Sequence, residues 1–254
     1  EPGKEIRWKN LKIISENPRE YSKQMSLTAF NTKNNLTQAE AASGWQLLWD
    51  GKTTKGWKGA KLETFPEQGW QIEEGMLTVM ESGGGESEAG GDIVTTQKYK
   101  DFELKVDFKI TEGANSGIKY YVDTDLNKGE GSSIGLEYQI LDDARHPDAK
   151  LGNHEGSRTL ASLYDLIQAD PNKPVNPIGS WNTARIVSKD GKVSHWLNDE
   201  KVLEYDRSTD AFLQLVQESK YKDWPGFGTL ERGNILLQDH GNRVSFKNIK
   251  IKEL

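Results

Sequence analysis

The stretch DFELKVDFKI, residues 101–110, leaves few folds open to this chain. Phe102, Leu104, Val106, Phe108 and Ile110 alternate without a break against Glu103, Lys105, Asp107 and Lys109. A period of two belongs to a β-strand, whose successive side chains point to opposite faces. One apolar and one charged face describe a half-buried antiparallel strand rather than a parallel strand covered on both sides. TARIVSKDGKVSHWLNDEKVLEY (183–205) adds a three-stranded meander, with Asp190-Gly191 suited to a type I′ turn and Asn198-Asp199 able to take positive φ at the next. QIEEGMLTV (71–79), GIKYYV (117–122), GLEYQIL (135–141) and NILLQDH (234–240) read as further strands between Gly-rich or Asn/Asp-rich punctuation. The expectation is an all-β sandwich of two antiparallel sheets with short helices in its loops. Helices are expected over about 35–43, where Thr37 and Glu40 form a capping box, and about 159–167 in RTLASLYDLI.

With 254 residues, 34% of them hydrophobic, the chain can bury one substantial core. It has no apolar run long enough to span a membrane. Net charge is −6 and the Lys and Arg residues are interspersed with acids, which argues against a nucleic-acid partner. The absence of cysteine removes disulfides, zinc-thiolate sites and cysteine nucleophiles together. The stretch from Glu1 does not read as a signal peptide, having no apolar core behind a charged start.

Several segments carry a family resemblance: LLWDGKTTKGW (47–57), GWQIEEGMLTV, YKDFELKVDFKITEGANSGIKYYV, GLEYQILDD, SLYDLI, GSWNTARIV, HWLNDEKV and GNILLQDHGNRVSFKNIKIKEL. In this order they resemble the 3-keto-disaccharide hydrolase family, over about Gly44 to Leu254. The resemblance implies a concanavalin A-like jelly roll with a concave, sugar-facing sheet. It also implies an enzyme acting on glycosides already oxidised at C3, with an oligosaccharide or glycoside as partner, in the periplasm or secreted.

The chain opens with EIRWKNLKII (5–14) and closes with VSFKNIKIKEL (244–254), so W-K-N-L-K-I repeats F-K-N-I-K-I. In the family this is the last strand. The first copy therefore resembles the tail of a preceding domain, followed by a polar linker at 16–26; two independent amphipathic strands are the alternative. Residues 1–43 are expected to be an extension without chemistry, and 44–254 the jelly-roll domain.

Strand parity proposes the site. In GLEYQILDD, Leu136, Tyr138 and Ile140 share the core face and Glu137 and Gln139 the other, which is either solvated or a groove; the family motif favours the groove. In LLQDHG, Gln238 and His240 share a face opposite Asp239. His195 shares its face with Leu197 and is open between core and groove, while His146 and His154 sit in a loop and read equally well as solvated. GANSGIKY offers Asn115, Lys119 and Tyr120, although Asn115 also suits a turn. Residues 142–181 form a long loop of the kind that covers sites, and it brings Asp142, Tyr164 and Trp181 as candidate sugar contacts. DTDLNKGEG (123–131) has oxygens at alternate positions, but its Gly falls late and no Glu closes a calcium loop, so it reads as a turn.

A ketone at C3 acidifies the C2 hydrogen. A base can then form an enolate that expels the C1 oxygen, and hydration of the product completes net hydrolysis. His240 is the candidate general base or acid and Glu137 its counterpart, with Gln139, Gln238, Asn115 and Lys119 as donors to hydroxyls or the enolate. A divalent metal on Glu137 and His240 is an alternative enolate stabiliser. Two other functions compete: a conventional glycosidase pairing Glu137 with Asp142 or Asp239, and a non-catalytic carbohydrate-binding module.

Overall fold

The computed structural model describes residues 34–83, 85–126 and 132–254. The first copy of the repeated strand, with its linker, lies outside them, as does the second half of the turn at 123–131. Two antiparallel sheets carry the described chain. The first orders its strands β11-β10-β9-β6-β13-β4-β3, with β1 (Gln46–Leu47) also paired to β13. These are β3 (Trp70–Glu73), β4 (Met76–Val79), β6 (Phe102–Ile110), β9 (Asn182–Lys189), β10 (Lys192–Leu197), β11 (Glu200–Asp206) and β13 (Val244–Glu253). The second orders β2 (Trp57–Gly59), β5 (Ile93–Thr95), β12 (Asn234–Leu237), β7 (Asn115–Val122) and β8 (Leu136–Leu141) as β2-β5-β12-β7-β8. Consecutive hairpins (β3-β4, β7-β8 and β9-β10-β11) alternate with pairings between strands distant in sequence, such as β6 with β13 and β5 with β12, and the chain crosses repeatedly between layers, which is the jelly-roll sandwich expected.

The alternation of β6 appears as buried Phe102, Leu104, Val106, Phe108 and Ile110 between half-buried charged residues. Facing them from the second sheet are Ile118, Tyr120, Leu136, Tyr138, Ile140, Ile235 and Leu237, all buried in the same core cluster. Each large apolar side chain so buried contributes about 1.5–3 kcal/mol. A one-residue slip in any strand would forfeit its whole set, so register is firmly specified. Asp190-Gly191 and Asn198-Asp199 all have positive φ, the requirement of type I′ turns, and the meander forms as read. QIEEGMLTV is two strands rather than one, because Glu74 and Gly75 take positive φ and close a hairpin.

The motif F-K-N-I-K-I owes its asparagine to a bulge. Asn248 has φ 51°, and the register of β13 against β6 shifts between Lys247 and Lys250. The extra residue puts Phe246 and Ile249 in the core together although strict alternation would separate them. Asn34 seals the bulge: its N–H donates to Asn248 Oδ1 at 2.7 Å, and the Asn248 N–H donates to Asn34 Oδ1 at 2.8 Å.

Helix α1 (Gln38–Ala42) has the capping box expected from Thr37 and Glu40, and Lys250 Nζ reaches the Glu40 carboxylate at 3.0 Å. Residues 159–167 are not helical. Ala161 and Asp165 have positive φ, and the backbone pairs with β8 instead, Ala161 N–H donating to Gln139 O and Tyr164 N–H to Glu137 O. A helix not anticipated, α2 (Asp210–Glu218), is capped by Thr209 and anchored by buried Phe212 and Val216. No helix of the described residues is long and apolar enough to cross a membrane.

His195 belongs to the core. Its Nδ1 donates to the Ala161 carbonyl at 2.8 Å, so Nε2 accepts from Tyr120 Oη at 2.8 Å, and Tyr120 Oη then accepts from Tyr205 Oη at 2.6 Å. Burial pushes this histidine down to about 4, from an ordinary 6.5. Between these values the unfolded chain binds a proton that the folded chain refuses. Stability from this residue is therefore complete above pH 6.5 and falls toward pH 4, by up to about 3 kcal/mol. Tm measured against pH in wild type and His195→Phe checks this: the variant is expected to be less stable at pH 7, and the gap to narrow as pH falls to 4.

Candidate functional site

Strand β7 alternates on the second sheet, with Ser116, Ile118 and Tyr120 toward the core and Asn115, Gly117 and Lys119 toward the outer face. On neighbouring β8 the outward residues are Glu137 and Gln139, and the register sets Lys119 opposite Glu137 and Gly117 opposite Gln139. Gln238 and His240 continue the same face just beyond β12. These residues floor a groove of about 280 Å³. Asn115, Lys119, Glu137, Gln139, Gln238 and His240, expected from sequence, are thus brought together, and Tyr164 joins them from the long loop.

At the centre is an ion pair. Lys119 Nζ lies 3.6 Å from Glu137 Oε2, and both side chains are only 5% exposed. Gly117 makes room for the carboxylate: a Cβ there would stand 2.1 Å from Glu137 Oε1. Burial pushes Glu137 up to about 7, with Lys119 opposing and Glu86 adding to the shift. Burial acts to lower Lys119, but the Glu137 and Asp92 carboxylates outweigh it and hold the ammonium above its ordinary value. Glu137 is therefore the member of the pair that changes protonation near neutrality.

Around the pair, polar atoms are left without partners. Gln139 Oε1, Gln238 Oε1 and His240 Nδ1 are buried and meet no hydrogen-bonding group among the described residues. Each such atom costs about 1–3 kcal/mol. Gln238 Nε2 is held by Glu86 Oε1 at 2.9 Å, and Gln139 Nε2 by Asn115 Oδ1 at 3.4 Å, so the free oxygens are oriented acceptors. A ligand dense in hydroxyls would satisfy them.

One wall is aromatic, formed by Tyr164, Tyr221 and Trp224. Tyr164 Oη donates to Asp148 Oδ2 at 3.0 Å, and Arg158 fastens its loop by bridging Asp148 and Asp165 at 2.7 Å each. Tyr221 stacks on Phe227 with centroids 4.1 Å apart. Flat rings beside oriented amides are what the C–H faces and hydroxyls of a sugar ring require. His146, read as a solvated loop residue, sets its ring 6.1 Å from that of His240, nearly perpendicular. Its Nδ1 accepts from Asp148 N–H, capping the short turn of 3₁₀-helix at Pro147–Lys150.

Four candidates fall elsewhere. Tyr120 is adjacent to Lys119 in a strand and so faces the core. His195 is the core histidine described above. Trp181 precedes β9 and therefore lies with the other sheet, Lys109 and Lys247 standing 5.0 and 4.1 Å from its ring centroid. Asp142 accepts the Gly113 N–H at 2.8 Å and pairs with Arg145 at 3.2 Å, which fixes the turn after β8 and leaves it off the groove lining. Asp239 is likewise spent on the N–H groups of Gly90, Gly91 and Gly241. Sequence reasoning missed Glu86, Ser132, Lys220, Tyr221 and Trp224. The run KYKDW (220–224), mixing cations with aromatics beside Pro225 and Gly226, was the available signal for three of them.

No group of three or more His, Asp and Glu side chains suited to a metal occurs among the described residues. The ammonium of Lys119 already supplies a positive charge beside Glu137, where a divalent ion would have to sit. The donor set does not fit the metal alternative.

A family model described as the 3-keto-alpha-glucoside-1,2-lyase-like domain matches residues 44–252. A 3-keto-disaccharide hydrolase from Bacteroides thetaiotaomicron is 40% identical over 233 residues, covering 84% of this chain and 79% of the relative. Two crystal structures from Parabacteroides distasonis, provisionally assigned as glycosyl hydrolases, also match. One has TM-score 0.75 and 33% identity over 88% of this chain and 100% of its own. The other has TM-score 0.54 and 27% identity over 78% and 99%.

Proposed function

Because this chain belongs to the 3-keto-alpha-glucoside-1,2-lyase-like family, we propose that its groove cleaves the glycosidic bond of a 3-keto-glucoside by elimination across C1 and C2. The observation that carries the reading is the buried Lys119–Glu137 pair at 3.6 Å, with Glu137 titrating at about 7. A carboxylate and an ammonium so close suit two neighbouring positions of the substrate, the C2 hydrogen and the C3 oxygen.

Ionised Glu137 takes the C2 proton, and the electron pair moves onto the C3 oxygen as an enolate beside Lys119. Negative charge passes from the carboxylate to the enolate while the ammonium stays between them. When the ketone re-forms, the C1–C2 double bond forms and the C1–O bond breaks; the departing oxygen takes a proton from His240. Water adding across the double bond then gives the free 3-keto sugar. Gln139, Gln238 and Asn115 bind hydroxyls, and Tyr164 offers a ring face. We place the enzyme in the periplasm or outside the cell, on the family resemblance.

A conventional glycosidase needs two carboxyl groups flanking the bond, about 5–9.5 Å apart. Asp142 and Asp239 are both committed to backbone N–H groups, which disfavours that reading. A binding module has no use for a carboxyl held near neutrality. Incubation with a nitrophenyl glucoside and its 3-keto analogue tests all three. Nitrophenol is expected from the keto sugar alone; release from both, or from neither, overturns the proposal.

A further inference from the structure

Linked to Lys119 through Ser132 is a carboxylate with no part in the chemistry above. Asp92 immediately precedes β5 and is 3% exposed. Both its oxygens are fully engaged. Oδ2 receives the Ser133 N–H at 3.2 Å and the Ser132 hydroxyl; Oδ1 receives the Asp239 N–H at 2.9 Å and the Ser87 hydroxyl at 3.2 Å. Each oxygen thus takes one backbone N–H, a group that can only donate, so the site is built for the ionised carboxylate.

The direction of the remaining hydrogen bonds follows. An ammonium has three donors and no acceptor. Lys119 Nζ donates to Ser132 Oγ and, at 3.2 Å, to Ser133 O, leaving its third hydrogen for Glu137. Ser132 Oγ, accepting from Lys119, passes its own hydrogen to Asp92. The chain of donors runs from the ammonium through Ser132 to Asp92, and separately from the ammonium to Glu137.

We propose that Asp92 is a positioning residue for the elimination: acting through Ser132, it is the permanent counter-ion that keeps Lys119 protonated and aimed, so that Glu137 alone changes charge during turnover. This rests on the reading of Lys119 and Glu137 given above. Without Asp92, the ammonium would lose its fixed partner each time Glu137 took up the substrate proton. It would then be poorest in support at the moment the enolate needs it. The charged and titratable groups facing the pair are Asp92, Glu86 from the loop before β5, His240 from beyond β12, Lys220 from beyond α2, and Tyr164 and Tyr221 from the aromatic wall. Burial raises the Asp92 pKa, against the pull of Lys119, Ser132 and the Asp239 N–H; the carboxylate is held ionised by its geometry, each oxygen taking a backbone N–H and a serine hydroxyl.

Asp92→Asn removes the charge at nearly constant shape, and Ser132→Ala cuts the link while leaving Asp92. Both are expected to lower kcat on a 3-keto aryl glucoside by about 10-fold or more with KM changed less than about threefold. The decisive readout is the pH profile of kcat/KM. Removing a negative neighbour stabilises ionised Glu137 and destabilises protonated Lys119, so in Asp92→Asn both limbs move to lower pH. A merely structural role would lower Tm and scale the profile without moving it, and that result overturns the proposal, as does wild-type kcat. Ser132→Thr, which restores the hydroxyl, is expected to recover most of the activity lost in Ser132→Ala; failure of both variants to differ from wild type also overturns it. If Asp92→Asn does not fold, the Ser132 pair decides. Carboxyl ¹³C NMR titration of Glu137, identified by its loss in Glu137→Gln, separates this idea from the functional one. A Glu137 titration that shifts downward in Asp92→Asn while wild type cleaves no 3-keto glucoside sinks the function alone, and an unshifted titration in an active enzyme sinks Asp92 alone.

Discussion

Glu137→Gln is expected to lower kcat/KM on a 3-keto glucoside by about 10²–10⁴-fold, the span of general acid–base assistance. The amide fits between Gly117 and Lys119 where the carboxylate lies, so the groove keeps its shape and loses only the base. In wild type, kcat/KM should rise with pH through about 7, because the base acts ionised and burial holds it protonated below that point. The variant should show no such limb. His240→Ala, removing the acid for the departing oxygen, is expected to cost about 10²-fold while keeping the limb near 7. Stability gives an independent check. A carboxyl raised above its unfolded value of 4.5 weakens the fold as pH climbs through the interval, so the neutral glutamine should leave the protein no less stable than wild type at pH 8. Near-wild-type turnover in both variants would remove these residues from the mechanism.

Lys119→Met is expected to have the second large effect and to damage both function and fold. Loss of the ammonium removes the enolate's counter-charge, worth about 10²–10³-fold in kcat by analogy with oxyanion-binding donors. It also takes from the buried carboxylates of Glu137 and Asp92 the counter-ion they share, at a cost of about 3–5 kcal/mol. The destabilisation depends on pH with a definite sign. Below the pKa of Glu137 that residue is neutral and one charge of the conflict disappears, so the loss relative to wild type should be smaller at pH 5.5 than at pH 8. Urea unfolding of both proteins at the two pH values measures it. Equal losses would mean that Glu137 does not share Lys119's electrostatic environment.

The sequence by itself determined the strands and the faces they present. The period of two in DFELKVDFKI, LEYQIL and the 183–205 meander is a local property, set by whether each side chain gains by leaving water, and it survived assembly unchanged. Parity alone placed Glu137 with Gln139 and Gln238 with His240, and the family resemblance supplied the chemistry that such a face could perform. What parity could not supply was the meaning of the second face, since the same alternation describes a solvated sheet and a groove floor. Tertiary structure decided that by laying loops over it. Glu86, Ser132, Lys220, Tyr221 and Trp224 come from segments without periodicity and from distant parts of the chain, so no local pattern announces them. Tertiary contacts also overrode the apparent helix at 159–167, whose backbone gained more from pairing with the exposed edge of β8 than from turning on itself. Trp181 and Tyr120 went astray for a related reason: a residue's neighbours in sequence say which way it points only after its sheet is known. Asp92 shows the limit most plainly, because its role depends on a serine 40 positions away and a lysine on another strand, brought together only when the sheet and its loops have closed around them.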